Sequence, residues 1–391
     1  MKITEIKTYM VANPPPRLGG PAWVFLKLVT DGGVEGLGEA YCVQLRPPTM
    51  VAIIEDIAER WVIGTDPFRI EALWRRIYSS GFSQHPDMVI QSVLSAVEMA
   101  CWDIVGKEVG QPIYNLLGGL VNERLRSYTY LQHLPNQPKG NVHNDPDLAA
   151  ESALKHADDG FTALKFDPVW PMMEDTPRQQ SLEVLSNAEK VVKSVREAVG
   201  DRCDLLIGTH GQFTTSSAIR FAKRIEKYDP LWFEEPVPPE NRDEMARVAR
   251  STSIPIASGE RLSTKYEYRE LLEKQAASIL QFALGRCGGI LEAKKIAGMA
   301  EAYYAQIAPH LYTGPVEGAA NVQIGACCPN FLIQESIGKW DGFHAEILKR
   351  PLKWEDGYII PPTEPGLGIE LDGEVAAQNV YVEGESAWWP N

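Results

Sequence analysis

The sequence predicts an α/β protein, a modified (β/α)8-type barrel preceded by an α+β capping domain. From about residue 126, short apolar runs that resemble strands each precede a helical stretch, and this alternation is typical of parallel strands joined by crossover helices. The unit recurs about every 25 residues, since Glu234 and Glu260 each follow such a run and stand 26 residues apart. Polar side chains end most of the runs, as at the mouth of a barrel, where active sites are built. Residues 1–125 follow a different pattern.

This first domain combines a small sheet with helices. Residues 1–11 alternate polar and apolar like a strand, and the segment 13–22 is too rich in Pro and Gly for regular structure. Trp23–Thr30 and Val34–Ala40 flank a Gly-bearing turn and predict an antiparallel hairpin. Residues 50–117 have helical spacing of apolar residues, which predicts an amphipathic helical region.

The barrel domain is predicted over 126–354, and the segment 355–391 is expected to return to the capping domain. The strand-like runs are Ala163–Asp167, Asp204–Ile207, Leu231–Glu234, Ile254–Ser258, Ile279–Phe282, Ile307–Pro309 and Phe331–Gln334. Helical patterns lie between them, for example at Ser216–Tyr228 and Leu291–Ala302. A doubly wound open sheet is the rival topology, but no G-x-G-x-x-G or phosphate-binding loop opens a helix here.

Composition narrows the classes of partner. The 391 residues include 38 basic and 52 acidic side chains, a net charge of −14, which disfavours nucleic acid or an anionic membrane as partner. An anionic ligand would therefore need a locally positive site.

The six cysteines form no C-x-x-C pair and the N-terminus lacks a signal-like apolar core, so we expect reduced thiols in a cytoplasmic protein. No apolar run approaches the ~20 residues of a membrane span.

A ring of chemically capable side chains falls at the predicted strand ends. Its members are Lys165, Asp167, His210, Glu234, Glu260, His310 and Glu335. Two carboxylates at neighbouring strand ends can hold a hard cation such as Mg²⁺, and a lysine and a histidine can each move a proton. Taken singly, each glutamate could be a helix-cap neighbour or a surface charge, and His310 a structural histidine. His143 and His156 fall outside the ring and are expected to face solvent.

Several motifs resemble the enolase superfamily, and within it the mandelate racemase-like acid-sugar dehydratases, such as galactonate and mannonate dehydratases. The motifs are Ser95–Ile104, Leu116–Gly119, Trp232–Pro236, Ser258–Glu260, Gly288–Ile290 and Ala308–His310. The resemblance covers nearly the whole chain. It implies abstraction of the proton next to a carboxylate by a Lys or His base, with Mg²⁺ stabilising the enediolate.

The resemblance also assigns roles to single residues. It implies Glu234 and Glu260 as metal ligands, Lys165 and His310 as base or acid, Glu335 as the hydrogen-bond partner of the substrate carboxylate, and His210 as the acid for the departing hydroxide. The segment 13–22 matches a lid over the pocket. Arg17, Trp23 and Asp167 are expected to bind substrate.

Two aspartates expected from the family are absent. Gly208 stands 26 residues before Glu234, where the first metal ligand is expected, and Ala283 stands 27 before His310, where its aspartate partner is expected. Water, Thr209 or His210 could complete the metal site. Nitrogen ligation by His210 would shift its preference from Mg²⁺ toward Mn²⁺, Fe²⁺ or Zn²⁺.

The expected reaction is dehydration of a small hydroxy acid, most simply a sugar acid, to a 2-keto-3-deoxy acid. An epimerase, racemase or cycloisomerase using Lys165 and His310 on opposite faces is one alternative, and a catalytically impaired sugar-acid-binding relative is another. The expected partners are the small-molecule acid and, by resemblance, further copies of the chain in a homo-oligomer.

Overall fold

A computed structural model of the chain describes residues 1–82, 84–138, 140–170 and 177–384. The chain begins with an antiparallel sheet in the order β1–β2–β3. Its strands are β1 (Ile3–Ala12), β2 (Ala22–Thr30) and β3 (Glu35–Ala40). Helices follow at α1 (Pro47–Ile57), α2 (Ile70–Tyr78), α3 (Met88–Val109) and α4 (Ile113–Leu116).

Helix α3 is the structural centre of the capping domain. It begins where the Asp87 carboxylate accepts hydrogen bonds from the backbone N–H groups of Val89 and Ile90, and it ends at Gly110 in the left-handed region. Gly36 and Gly38 of β3 let its backbone approach closely, because a Cβ at either glycine would come within 2.0 Å of a carbonyl oxygen of α3. The helix is 22 residues long.

Helix α3 is also long and apolar enough to cross a membrane by length and composition, although the sequence suggested no such run. In the most apolar 18-residue window, however, 78% of its residues are buried inside the protein. This burial is that of the core helix of a folded domain.

The predicted barrel with its capping domain is confirmed. The parallel barrel strands are β4 (Leu125–Tyr130), β5 (Ala163–Phe166), β6 (Asp204–Ile207), β7 (Trp232–Glu234), β8 (Ile256–Ser258), β9 (Ile279–Leu280), β10 (Gln306–Ile307) and β11 (Gln334–Glu335). They pair in sequence order, β11 pairs with β4, and a bridge between Ile307 and Phe331 joins the remaining edge. Strand β4 was absent from the predicted runs.

The barrel helices occupy the intervals between the strands. They are α5 (Pro146–Asp158), α6 (Leu182–Val199), α7 (Thr215–Ile225), α8 (Arg242–Ala249), α9 (Thr264–Glu273), α10 (Leu284–Cys287), α11 (Ile290–Ala302) and α12 (Pro315–Cys327). The two predicted helical patterns correspond to α7 and α11. All six cysteines are unpaired and buried.

Two buried carboxylates of the capping domain bind helix N-termini of the barrel. Glu39 accepts hydrogen bonds from the N–H groups of Gly314, Val316 and Glu317 at the start of α12. Glu98 accepts them from the first two residues of α11 at 2.7 and 2.9 Å. Free N–H groups at a helix start favour a carboxyl oxygen as acceptor, while burial raises the pKa of both Glu39 and Glu98 to about 8. The hydrogen bonds, rather than a negative charge, therefore fasten the cap to the barrel.

The C-terminal segment contacts both domains. Its elements are α13 (Phe343–Glu346), β12 (Leu348–Arg350), β13 (Lys353–Glu355), β14 (Tyr358–Ile360), β15 (Glu370–Leu371) and α14 (Gly373–Gln378). Strand β14 pairs with barrel strand β4, while Val380 forms a bridge with Val11 of β1. The last residues of the predicted returning segment, 385–391, lie outside the described residues.

Candidate active site

The barrel strands build the site through their alternation. One buried layer of side chains fills the barrel interior with Tyr128, Ala163, Leu206, Trp232, Ala257, Ile279, Ala308 and Ile333. Side chains two residues further along a strand point the same way. The next inward layer toward the mouth is therefore Tyr130, Lys165, Gly208, Glu234, Gly259, Gln281, His310 and Glu335. Most of the predicted ring thus follows from strand register alone.

Lys165 lies at the centre of the ring. Its side chain is 2% exposed, and its Nζ lies 2.6 Å from Glu234 Oε1 and 3.3 Å from Glu335 Oε1. Burial by itself would lower the pKa of Lys165, but the charges of Glu234 and Glu335 raise it well above its ordinary value. Lys165 is therefore an ammonium ion in this arrangement.

Glu234 is held from two sides. Its Oε1 faces Lys165, while its Oε2 accepts hydrogen bonds from Trp232 Nε1 at 3.0 Å and from Gln281 Nε2 at 2.9 Å. Carboxylates held by several donors keep a fixed orientation. Glu234 is therefore held in one orientation, with both of its oxygens engaged.

His310 and Glu335 form a second ion pair. His310 Nδ1 lies 2.7 Å from Glu335 Oε2 and 3.2 Å from Glu260 Oε2. Glu335 also accepts a hydrogen bond from the hydroxyl of Tyr130 and one from the N–H of Leu311. Burial opposes its charge, but Lys165 and His310 hold the pKa of Glu335 down at about 2.

These contacts show what holds His310 although Ala283 stands where an aspartate partner was expected. Burial lowers the pKa of His310, and Glu335 and Glu260 outweigh it, so the pKa is raised. The imidazole is thus oriented by carboxylates at two other strand ends, Glu335 and Glu260, rather than by an aspartate at 283. Its Nε2 lies 3.2 Å from the hydroxyl of Tyr41, which reaches in from the capping domain.

His210 and Asp167 form a third pair. His210 Nδ1 lies 3.1 Å from Asp167 Oδ1. Burial lowers the pKa of His210, but the Asp167 carboxylate raises it to about 9 overall. His210 itself adopts a left-handed backbone conformation with a φ of 49°, and its carbonyl accepts a hydrogen bond from Arg261 Nη2 at 3.0 Å. The histidine is therefore held in its protonated form at neutral pH.

The other two predicted substrate-binding residues lie in or beside the lid segment. The Trp23 side chain is 1% exposed, its Nε1 donates to Gly19 O, and its ring stacks on Phe343 at 5.5 Å between centroids. Trp23 therefore packs against the segment 13–22 that was predicted to be a lid. Arg17 stands in a turn closed by a hydrogen bond from the N–H of Gly20 to its carbonyl.

The candidate metal ligands are oxygen donors of the kind that Mg²⁺ prefers. Glu234 and Glu260 follow neighbouring strands, and Glu260 Oε2 is buried without a hydrogen-bond partner. Within the described ranges, no three His, Cys, Asp or Glu side chains stand together as a ready-made cluster. Instead, Lys165 and His310 lie against the two glutamates. The donor chemistry fits a hard divalent ion, and the chain's own cations share the same oxygens.

Several contributors, Tyr41 among them, were not identified from the sequence. His143 Nδ1 accepts a hydrogen bond from the N–H of Asp167 at 3.4 Å, and burial lowers its pKa, so the prediction that it faces solvent is wrong. Tyr130 and Gln281 belong to the inward layer and could have been found from its two-residue register. His143 lies in a loop before α5, where no periodic pattern applies.

The comparisons with known proteins agree with this architecture. Residues 18–118 match the N-terminal domain of the mandelate racemase / muconate lactonizing enzyme family, and residues 148–375 match the enolase C-terminal domain-like family. A D-galactonate dehydratase from Ralstonia nicotianae is 36% identical over 378 residues, covering 95% of this chain and 92% of the relative.

Solved structures give the same result at higher identity. A mandelate racemase/muconate lactonizing enzyme-type structure from Burkholderia SAR-1 is 57% identical with a TM-score of 0.96, covering 98% of this chain and 95% of that one. The enzyme from Sulfitobacter sp. is 48% identical with a TM-score of 0.95, covering 99% and 97%. The chain therefore belongs to the mandelate racemase/muconate lactonizing enzyme family of the enolase superfamily, and it is an enzyme.

Proposed function

We propose that this enzyme dehydrates a sugar acid by removing the proton next to its carboxylate and expelling the neighbouring hydroxyl group, which gives a 2-keto-3-deoxy acid. The observation that carries the proposal is the convergence of three charged pairs at one barrel mouth. Lys165 with Glu234, His310 with Glu335, and His210 with Asp167 supply a base, an electrostatic partner for the substrate and an acid.

Lys165 is proposed as the base. Its Nζ is buried and held at 2.6 Å by Glu234, whereas both ring nitrogens of His310 are already engaged by Glu335 and Tyr41. As an ammonium ion Lys165 cannot accept a proton, so binding must remove part of the negative charge around it. Once Lys165 is neutral, its fixed position makes its Nζ the acceptor of the substrate proton.

Enolase-superfamily enzymes generally use Mg²⁺, and Glu234 and Glu260 would hold it here. When bound, the ion supplies positive charge that stabilises the enediolate. With these two carboxylates engaged, Lys165 and His310 lose part of the charge that raises their pKa values. Nitrogen ligation by His210, which would favour Mn²⁺, Fe²⁺ or Zn²⁺, has less support because its Nδ1 faces Asp167.

His210 is proposed to protonate the departing hydroxyl group. Asp167 raises the pKa of His210 to about 9, so the proton is present at neutral pH. Glu335 is proposed to lie near the substrate carboxylate. The donors that contact Glu335, His310 and Tyr130, would connect the two groups.

The test is a panel of aldonic and aldaric acids that includes D-galactonate, because the curated relatives act on it by name. Formation of a 2-keto acid, detected as its semicarbazone, is expected for at least one member in the presence of Mg²⁺. Conversion to a diastereomer without keto acid would indicate an epimerase instead. Binding of an acid without any reaction would indicate a sugar-acid binder, and either result would overturn the proposal.

A further inference from the structure

Gly208 occupies the inward position at the end of β6, where the family resemblance predicts a metal-binding aspartate. The space beside this glycine is filled. A Cβ placed on Gly208 would lie 2.4 Å from Asp167 Oδ1, 3.1 Å from Asp167 Cγ and 3.3 Å from Lys165 Cε. No side chain fits there unless Asp167 moves.

The 2.4 Å distance is informative. By standard bond lengths, an aspartate's own carboxylate oxygens lie about 2.4 Å from its Cβ. Asp167 Oδ1 therefore lies as far from the Cβ position of residue 208 as an aspartate's own carboxylate oxygen would. The neighbouring strand β5 supplies this oxygen, since Asp167 lies two residues beyond Lys165 and shares its face.

The burial of the oxygens supports a shared role. Asp167 is 7% and Glu260 6% exposed, and Asp167 Oδ1 and Glu260 Oε2 each face a histidine Nδ1, at 3.1 and 3.2 Å, without good hydrogen-bond geometry. Their nearest charged neighbours are His210 and His310. Each buried oxygen therefore has an ion-pair partner but keeps acceptor capacity that a cation could use.

In the described part of the chain these carboxylates do not form a ready-made cluster. We propose that a divalent cation gathers them, with Asp167 as the third carboxylate ligand beside Glu234 and Glu260, in place of the side chain missing at Gly208. This inference rests on the proposed function for the presence of the metal. Gly208 is then required, because any larger residue displaces the relocated ligand. Asp167 also holds His210 Nδ1, so one carboxylate joins the metal site to the proposed acid.

Metal binding without substrate tests the proposal directly. Mn²⁺ would be titrated against the full-length protein and the free ion measured by electron paramagnetic resonance. Asp167→Asn should weaken binding at least about tenfold, as loss of even an outer-shell partner often does. Asp201→Asn, an exposed residue with the same change in charge, should bind as the wild type does. Circular dichroism would confirm that each variant is folded.

Three further variants separate ligation from the other role of Asp167. Gly208→Ala should weaken Mn²⁺ binding without changing charge, whereas Gly298→Ala, where nothing lies within 4 Å of the added Cβ, should not. His210→Asn breaks the pair with Asp167 but should retain the metal.

The double variant Asp167→Gly with Gly208→Asp should bind Mn²⁺ more tightly than Asp167→Asn. Wild-type affinity in Asp167→Asn, loss of binding in His210→Asn alone, or no Mn²⁺ binding by the wild type would each overturn the proposal. Since no substrate is used, these outcomes are independent of the keto-acid assay.

Discussion

Buried carboxylates serve two regions of this molecule in different ways. At the cap–barrel interface, Glu39 and Glu98 are satisfied mainly by backbone N–H groups at the starts of α12 and α11. At the barrel mouth, Glu234 and Glu335 have fixed donors too, but each also pairs with titratable side chains, Lys165 for both and His310 for Glu335. Backbone partners cannot leave or change charge, whereas side-chain partners can do both. The interface is therefore built for attachment, and the mouth for moving protons.

The largest effect is expected at the mouth. Lys165→Met should lower kcat/KM on the turned-over sugar acid by about 10³-fold or more, because the proposed base is removed. Rates would be normalised to the folded fraction measured by circular dichroism. Lys349→Met, which removes an exposed lysine paired with Glu370, is the control and should retain activity. Activity in Lys165→Met near that of the control would exclude Lys165 as the base.

The interface should respond in stability instead. Glu98→Ala leaves the N–H groups of Ile290 and Leu291 without their buried acceptor and should lower the free energy of unfolding by about 3 kcal/mol. Glu98→Gln keeps one acceptor oxygen and should cost less. Urea unfolding measures both, and kcat of the folded protein should be unchanged. A large fall in kcat with unchanged stability would contradict the division between the two regions.

Histidines extend the comparison to pH. His344 lies beneath the lid segment, where burial lowers its pKa to about 4, although its bond to Thr313 O opposes this shift. In the unfolded chain His344 takes up a proton near pH 6.5, whereas in the folded chain it does so only near pH 4. The free energy of unfolding therefore falls as the pH falls through this window. From pH 7 to pH 5 this amounts to about 2 kcal/mol.

The measurement is urea unfolding of the wild type and His344→Gln at both pH values. The glutamine amide can still donate to Thr313 O but carries no titrating group, so the variant should lose less stability between pH 7 and pH 5. Equal losses in the two proteins would show that His344 does not titrate in this range.

The smallest effect is expected where the cap touches the mouth. Tyr41→Phe removes the hydroxyl 3.2 Å from His310 Nε2 but leaves the ring beneath Arg286. Loss of one hydrogen bond of about 1 kcal/mol corresponds to about a fivefold fall in kcat/KM. Tyr303→Phe, an exposed tyrosine at the end of α11, is the control. A fall as large as that of Lys165→Met would place Tyr41 in the proton-transfer chemistry itself.

Strand periodicity explains how much of this could be predicted from sequence. The barrel, the inward layer and the pairing of Lys165 with strand-end glutamates follow from repeats of about 25 residues and from side-chain alternation. Strand β4 escaped because its polar residues, including Arg126 and Ser127, interrupt the apolar run. The positions of Asp167 and His143 depend on how the loops fold over the strand ends. The spacing of residues in the sequence does not predict these loop conformations.

At Trp23 and Ala283, contacts between residues distant in sequence decide the structure, and the sequence pattern does not predict them. Trp23 adjoins the lid segment in sequence, yet its ring turns inward and stacks on Phe343 from the far end of the chain. The loss at Ala283 predicts an unheld His310, yet carboxylates from two other strand ends reach it. In both cases the deciding contacts are between residues distant in sequence.

Deuterium incorporation is the most direct test of the central claim, that Lys165 removes the proton next to the carboxylate and His210 expels the neighbouring hydroxyl. The substrate found in the panel would be incubated in D₂O with Mg²⁺ and followed by NMR. The wild type should form keto acid carrying one deuterium at C3. His210→Asn should exchange the C2 proton without forming product, and Lys165→Met should do neither. Unimpaired product formation by His210→Asn, or C2 exchange in Lys165→Met, would contradict the account.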